Sequence, residues 1–373
     1  MQMFAVRRSN MQEILSVAHG RKYQIGKLPV VVLNGSWKEM GRAFGVLMKE
    51  EVTKMLNFLS LDESEAEEIK CRTMVSTFPH STRKYLEGMA EGLGLTQSQI
   101  SKVAFSKKTA LCGLSAPISS NVAAWNDYTS GKLILGSNLD YGTEVATLNP
   151  ALCLTVFCPG DGRLSFASFG YAGLPYVTNA FNEKGICMTI ANAMPSGGNL
   201  FIENRFFTPT VLMTAMQECE NLDDFRTFLW TTKASFSYLV TVADASSARV
   251  FEWSSFDTKQ RTTVSRPGLS VITNHFTEKS WGMPRPDDAT YWHTRTRRQN
   301  LLNLAAHFKG AINEEIMKDI LATPLEQLGA MSNDTVYQAI VVPSEMKLLF
   351  NIPNYQDWTE INLAELFNQK KEA

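Results

Sequence analysis

The chain has 373 residues, of which 44% are hydrophobic and 20% are charged, so it can bury one large core or two smaller ones. Its 36 basic and 37 acidic residues give a formal net charge of -1, and no long block of one sign occurs. We therefore expect no nucleic-acid partner and no anionic membrane surface as a partner.

The N-terminal residues 1–22 carry several charges and lack an apolar core of the length typical of a signal peptide. No segment approaches the ~20 apolar residues that a membrane-spanning helix needs. These features favour a cytoplasmic protein. The cysteines form no C-x-x-C pair and have no histidine at metal-ligand spacing, so we expect neither a disulfide framework nor a zinc site; they are Cys71, Cys112, Cys153, Cys158, Cys187 and Cys219.

The first third of the chain predicts helices that follow one short strand. Residues 30–33 form a β-branched run that ends at an Asn-Gly pair. Capping boxes at 36–39 and 96–99 each predict the start of a helix. In the first of these helices Gly41 and Gly45 lie on one face, where glycines let another backbone approach closely.

From residue 121 the pattern changes to strands, with helices between them. The order of these elements predicts an α+β layered fold with largely antiparallel sheets and one boundary near residue 118. Helices are expected over 208–218, 222–229, 294–307 and 314–321. Strands are expected over 121–125, 133–135, 152–157, 164–169, 185–191, 239–243, 249–253, 271–273, 336–342 and 347–352.

Two of these strands carry the most informative motif. Ser119 stands before the strand at 121–125, and the next strand runs into Gly136-Ser137-Asn138-Leu139-Asp140. A small nucleophile before one strand and an Asn-x-Asp at the end of the next resemble the start of the catalytic subunit in N-terminal-nucleophile (Ntn) amide hydrolases. The branch it resembles includes acyl-CoA:6-aminopenicillanate acyltransferase, choloylglycine hydrolase and acid ceramidase. These families usually have Cys where this chain has Ser119, and choloylglycine hydrolases have Arg where it has Ser137.

The resemblance continues along the chain in the same order. Residues 182–185 (Asn-Glu-Lys-Gly) are similar to the N-E-x-G turn of the family, which places Asn192 on its oxyanion-hole asparagine. Asn274 is similar to a later asparagine at a strand end. Residues 293–298 resemble the S-x-R-x-x-R segment that opens a helix, with Arg295 as the matching arginine and Arg298 in the alternative register. The helix that follows Gly35-Ser36 is similar to one in the acyltransferase branch.

The resemblance implies a mechanism. Self-cleavage between Ile118 and Ser119 would free an α-amine, whose pKa of roughly 7.7–8.0 suits it to general-base catalysis near neutral pH. The Ser119 hydroxyl would then attack a linear amide, and the acyl group would pass to water or to an amine. The other roles that the resemblance implies are orientation of the amine by Asp140, oxyanion stabilisation or acyl binding by Asn192 and Asn274, and support of the site by Arg295.

The same resemblance implies a four-layer αββα sandwich. Residues 1–118 would be a helical pro-segment or α-segment packed on the core, and residues 119–373 would form the catalytic core. The expected partner is a small-molecule amide or acyl substrate, and no metal or organic cofactor is needed. The sequence leaves a homo-oligomer open.

Several alternatives stay open at this stage. Ser119 is a working nucleophile, a replacement of Cys, or the mark of a non-catalytic ligand-binding protein with the same fold. Cys112 is the rival nucleophile, although it lies upstream of the strand. His275 follows Asn274, but the chain lacks the G-x-S-x-G elbow of a Ser-His-Asp hydrolase. Each motif also has a structural interpretation, such as a turn for Asn182 and a solvated basic helix face for Arg295.

Overall fold

Two β-sheets form the centre of the protein. The computed structural model describes residues 7–8, 11–59, 64–106, 118–197, 202, 205–262 and 266–369. In chain order the strands are β1 (Arg7–Arg8), β2 (Gln12–Val17), β3 (Gly20–Ile25), β4 (Leu28–Gly35), β5 (Ile118–Ala124), β6 (Ile134–Asp140), β7 (Leu152–Pro159), β8 (Phe166–Tyr171), β9 (Asn179–Asn182), β10 (Cys187–Asn192), β11 (Tyr238–Ala243), β12 (Ala248–Trp253), β13 (Thr258–Gln260), β14 (Leu269–Ile272), β15 (Thr335–Val342), β16 (Lys347–Ile352) and β17 (Gln356–Asn362).

The helices flank these sheets. They are α1 (Trp37–Leu47), α2 (Lys49–Leu59), α3 (Glu65–Ser76), α4 (His80–Leu93), α5 (Gln97–Ala104), α6 (Met194–Gly197), α7 (Thr208–Glu218), α8 (Leu222–Thr231), α9 (Thr294–His307), α10 (Glu314–Ala322) and α11 (Leu363–Asn368). Within the described residues, no helix is both long and apolar enough to cross a bilayer.

One sheet has seven strands in the order β1-β17-β16-β15-β6-β5-β14, and the other has ten in the order β13-β12-β11-β10-β9-β8-β7-β4-β3-β2. Neighbouring strands run antiparallel except in two pairs, β1 with β17 and β4 with β7. The sheets are therefore largely antiparallel, as the sequence predicts.

Among the described residues the apolar core falls into four clusters, of which three are large. Val31 and Leu33 of β4 face α1, α4 and α7, whereas their neighbours Val30 and Val32 pack between the two sheets. A third cluster, which includes Val122 of β5, joins the seven-stranded sheet to α9 and α10. A strand buried on both faces needs apolar residues at every position, and the run at 28–33 has them. The α+β class, with two sheets and accompanying helices, is thus confirmed.

The N-terminal part differs from the sequence prediction. We expected one strand before the first helix, but β2, β3 and β4 all join the edge of the ten-stranded sheet. The expectation of a single strand is therefore wrong. The sequence does not reveal β2 because most of its side chains are exposed, so it lacks the alternation of apolar residues that indicates a strand. Residues 12–35 thus share a sheet with the strands that follow residue 118.

The glycine prediction in α1 is confirmed. A Cβ atom on Gly41 would lie 2.0 Å from the carbonyl oxygen of Tyr85, and one on Gly45 would lie 2.6 Å from that of Met89. The capping box of α1 is also present, with the Ser36 amide donating to Glu39 Oε2 over 2.8 Å. The two helices α1 and α4 consequently pack backbone to backbone over the ten-stranded sheet.

Candidate functional site

Ser119 is the second residue of β5 and is fully buried, with a relative exposure of 0%. It pairs with Leu139 of β6, whose side chain packs in the core between the sheets. Since paired residues of antiparallel strands share a face, the Ser119 side chain points toward the ten-stranded sheet. Its hydroxyl has no hydrogen-bond partner among the described residues.

Asn121 lies two residues further along β5 and on the same face as Ser119. Its side-chain oxygen accepts a hydrogen bond of 2.9 Å from the Thr241 hydroxyl of β11 in the other sheet. This contact ties the start of β5 to the ten-stranded sheet across the sandwich.

Asp140 ends β6 and pairs with Ile118, so its carboxylate lies on the opposite face, toward α9. Its Oδ2 atom is 3.1 Å from Arg297 Nη1, and its Oδ1 atom accepts a 2.7 Å hydrogen bond from the Thr335 hydroxyl. Asp140 and Arg297 are only 1% and 2% exposed, respectively. They form an ion pair sealed from solvent by the sheet and the helix.

Burial has opposite effects on the two charges of this pair. It raises the pKa of Asp140 from its ordinary value to about 6, although Arg297 and Thr335 both act to lower that pKa. Burial also lowers the pKa of the Arg297 guanidinium, while Asp140 raises it. The Asp140 carboxyl is therefore ionised and paired at neutral pH, and it takes up a proton under mildly acidic conditions.

Arg297 connects Asp140 to the two asparagines identified in the sequence. Its Nη2 atom donates a 2.6 Å hydrogen bond to the side-chain oxygen of Asn274. The Asn274 side-chain nitrogen donates in turn to the backbone carbonyl of Asn192 over 3.0 Å. Asp140, Arg297, Asn274 and Asn192 form a continuous chain of hydrogen bonds, which we call the buried polar chain.

The backbone at the start of α9 holds Arg297 in place. Trp292 and His293 both have positive φ angles, 54° and 50°, which is uncommon for residues other than glycine. This bend lets the Trp292 carbonyl accept a 2.8 Å hydrogen bond from Arg297 Nε. The Thr294 hydroxyl also accepts a 2.8 Å bond from the Asn274 amide. Such strained backbone costs ~1–3 kcal/mol per residue and clusters at functional sites.

The predicted arginine lies elsewhere. Arg295 is exposed on the opposite side of α9, and its backbone amide, rather than its side chain, caps the helix through Asp288. The arginine that the structure brings to the site is Arg297, which the family resemblance did not identify. Each residue turns a helix by about 100°, so neighbouring arginines face different layers. The buried face of α9 runs through Leu301, and Arg297 lies four residues before it on that face.

The other candidates have structural surroundings. His275 Nδ1 is 2.9 Å from the Thr294 hydroxyl, and burial lowers the pKa of this imidazole to about 3, so it is neutral. The side-chain oxygen of Asn182 accepts hydrogen bonds from the backbone amides of Lys184 and Ile186, within its own turn. Cys112 lies outside the described residues. Among the residues that the structure describes, no group of three or more His, Cys, Asp or Glu side chains could hold a metal ion.

Three solved structures resemble this chain in shape. A Caenorhabditis elegans ortholog of N-acylethanolamine-hydrolyzing acid amidase is 18% identical, with 67% of this chain and 97% of that one covered and a TM-score of 0.47. A mutant conjugated bile acid hydrolase from Clostridium perfringens is 13% identical, with 66% and 93% covered and a TM-score of 0.48. Penicillin V acylase from Agrobacterium tumefaciens is 11% identical, with 66% and 86% covered and a TM-score of 0.45.

Sequence comparison defines the family. Comparison with curated proteins finds no match. The model of the acyl-coenzyme A:6-aminopenicillanic acid acyl-transferase family matches residues 128–356, which is more than half of the chain. That match contains the whole buried polar chain and begins after Ser119. The chain therefore belongs to the acyl-coenzyme A:6-aminopenicillanic acid acyl-transferase family.

Proposed function

We propose that this protein is an Ntn amide hydrolase or acyltransferase that acts on a linear C–N amide and is made as a precursor cleaved between Ile118 and Ser119. The observation that carries this proposal is the register of β5 on β6, in which Ile118 pairs with Asp140. In this register the peptide bond between Ile118 and Ser119 lies across from the backbone of Asp140 on the neighbouring strand. Cleavage there would leave the new α-amine of Ser119 next to a carboxylate that can orient it.

Ser119 is the proposed nucleophile. A buried hydroxyl without a partner costs about 1–3 kcal/mol, and that of Ser119 is one of several in the described residues. The side chain of Ser119 faces the interior between the sheets. In the cleaved chain the amine takes the proton of the hydroxyl as the oxygen attacks the substrate carbonyl. It then returns the proton to the departing amine.

Asp140 and Arg297 act on the amine and not on the hydroxyl. The carboxylate lies on the opposite face of the sheet from the Ser119 side chain, so it serves to orient and stabilise the ammonium form that appears during catalysis. Arg297 keeps that carboxylate ionised at neutral pH and fixes its direction through a second bond, to Asn274. Asn274 is a positioning residue, because both the oxygen and the nitrogen of its side chain form hydrogen bonds with other protein groups.

Asn192 is the proposed oxyanion donor. Its side-chain oxygen accepts a hydrogen bond from the Met194 amide over 3.4 Å. Its backbone carbonyl is held by Asn274. A buried side-chain amide in a fixed orientation can stabilise a tetrahedral oxyanion at little reorganisation cost.

The serine limits the expected rate. A hydroxyl is a weaker nucleophile than a partly ionised thiol, so we expect this chain to be acylated more slowly than its Ser119→Cys variant. The same serine favours the second candidate function, a ligand-binding protein of the same fold that forms no acyl-enzyme. The two functions differ in whether residue 119 becomes covalently modified.

Acylation by an activated acyl ester, followed by intact mass and peptide mapping, tests the proposal. We expect a burst of the leaving group and one acyl group on residue 119, faster in Ser119→Cys and absent in Ser119→Ala. Adding a primary amine then separates acyl transfer from hydrolysis by the product formed. No adduct at residue 119 in either nucleophile form would overturn the enzyme proposal and leave the binding function.

A further inference from the structure

Two adjoining cavities are lined by residues of β14, of α9 and of the segment between them. Their volumes are about 490 Å³ and about 600 Å³, and both are lined by Thr277, Glu278, Lys279 and Arg298. Each volume falls within the range of roughly 300–1,000 Å³ that is usual for small-molecule sites. We call the two together the basic cleft.

The charge of the basic cleft is strongly positive although the whole chain carries a formal charge of -1. Among the described residues its lining contains two carboxylates, Glu278 and Asp288, of which Asp288 caps the start of α9. Its cationic side chains are Arg261, Arg266, Lys279, Arg285, Arg295 and Arg298. Such an excess of one sign inside a concave surface raises the local concentration of counter-ions.

Of the six cations, Arg261 is neutralised by the protein. Its Nε atom lies 2.5 Å from the buried Glu252 carboxylate, and its other nitrogens donate to the carbonyls of Val271 and His275. For the other five, no ion pair joins the side chain to a carboxylate in the part of the chain that the structure describes. The basic cleft therefore holds a local excess of unpaired positive charge.

Arg298 is the central residue of this cleft. It is half-buried, lines both cavities, and uses Nε for a 3.3 Å bond to the Val271 carbonyl. Burial, together with repulsion from Arg261 and Arg266, lowers the pKa of Arg298 to about 10. The guanidinium is still charged at neutral pH. A bound anion would relieve this repulsion, and a guanidinium fork matches the oxygens of a phosphate.

We propose that the basic cleft binds the phosphate group of a small molecule. The cleft is concave and bounded, which fits a compact multivalent anion better than an extended strand or a lipid surface. The cleft also adjoins the proposed active site. Arg261 in the cleft donates hydrogen bonds to the carbonyls of Val271 and His275, and Asn274 lies between these two residues in the sequence. The phosphate belongs either to the substrate itself or to a free anion. A phosphate on the substrate rests on the proposed function, whereas binding of a free anion does not.

Titration with inorganic pyrophosphate at low ionic strength, followed by calorimetry and by the fluorescence of Trp281 in the cleft wall, tests this proposal. We expect saturable binding that Arg298→Gln weakens at least tenfold. The matched control is Arg83→Gln, which removes an exposed arginine from α4 and should leave the affinity unchanged. The absence of saturable binding, or equal weakening by both variants, would overturn the proposal, as would tighter binding of a single-stranded oligonucleotide.

A second arm identifies the source of the phosphate. Activated esters with and without a phosphate on the acyl chain are compared as acylating agents of Ser119→Cys, with and without Arg298→Gln. A preference for the phosphorylated ester that Arg298→Gln removes assigns the phosphate to the substrate. Equal rates with pyrophosphate still bound assign the cleft to a free anion. Because the titration needs no acylation, its result stands even if residue 119 proves unreactive.

Discussion

Arg297 Nη1 lies 3.1 Å from Asp140 Oδ2, and both side chains are almost completely buried. This contact joins the end of β6 to the first turn of α9 over 157 positions of sequence. It brings the end of the Asn-x-Asp motif and an arginine of the helix into one buried unit, which extends through Asn274 to Asn192.

Replacing Arg297 with Gln should strongly destabilise the protein. The variant leaves the Asp140 carboxylate buried without its cation, and breaking a buried pair in this way costs about 3–5 kcal/mol. Arg295→Gln is the matched control, since that side chain is exposed two positions away and its loss should change stability by less than about 0.5 kcal/mol. Urea unfolding of both variants checks this. Equal effects would mean that the register of α9 is not the one described.

The stability of the protein should depend on the ionisation of Asp140. Burial raises the pKa of this carboxyl to about 6 in the folded chain, whereas the unfolded chain has its ordinary, lower value. As the pH falls below about 6, the folded chain binds the proton first, so the Asp140 contribution to the free energy of unfolding increases; it is lost as the pH rises through 6.

The Asp140→Asn variant isolates this contribution because it cannot titrate. Relative to that variant, the unaltered chain should gain on the order of 2 kcal/mol between about pH 7.5 and about pH 4.5. Urea unfolding of both proteins across that range measures the difference. A difference that stays constant, or that changes in the opposite direction, would show that the carboxyl does not titrate as burial predicts.

Glu252 should anchor the segment that carries Asn274. Its buried carboxylate accepts a 2.6 Å bond from the Thr277 amide and another of 2.6 Å from Trp281 Nε1, besides the pair with Arg261. We expect Glu252→Gln to cost about 3–5 kcal/mol and to shift the fluorescence of Trp281. Glu218→Gln, which removes an exposed salt bridge, should cost less than about 1 kcal/mol. Equal losses of stability in chemical denaturation would contradict the anchoring role.

The close contact of α1 and α4 should not tolerate a methyl group. A Cβ atom on Gly88 would lie 1.9 Å from the Lys38 carbonyl oxygen, so Gly88→Ala should destabilise by about 1–3 kcal/mol or more despite the better helix propensity of alanine. At Gly160 the nearest neighbour of a Cβ atom is 3.5 Å away, and Gly160→Ala should be nearly neutral. Thermal unfolding compares the two. An unchanged melting temperature in Gly88→Ala would refute the backbone contact.

Local patterns in the sequence predicted much of the fold. The helix over 294–307 and the capping boxes at 36–39 and 96–99 agree with the structure because each depends on neighbouring residues. The strand β2 was missed because its exposed side chains leave no apolar alternation. The strand β17 was missed as well, although three of its seven residues are buried, because polar residues interrupt its apolar positions.

The site required information that motif matching lacks. The structure brings Asp140, Asn192 and Asn274 together, but the arginine that joins them depends on which way α9 faces the sheet. The apolar positions of that helix, such as Leu301, could have identified Arg297, because the buried face continues back to it. The separation of the Ser119 side chain and the Asp140 carboxylate onto opposite faces of one sheet also depends on strand register.

Under the proposed function, residue 119 becomes an N-terminal nucleophile by self-cleavage. Intact mass under denaturing conditions, for the unaltered chain, Ser119→Cys and Ser119→Ala side by side, tests it most directly. We predict two fragments divided between Ile118 and residue 119 in the Cys form, a slower division at the same bond in the unaltered chain, and none in the Ala form. A single uncut mass in both nucleophile forms would contradict the self-processing mechanism.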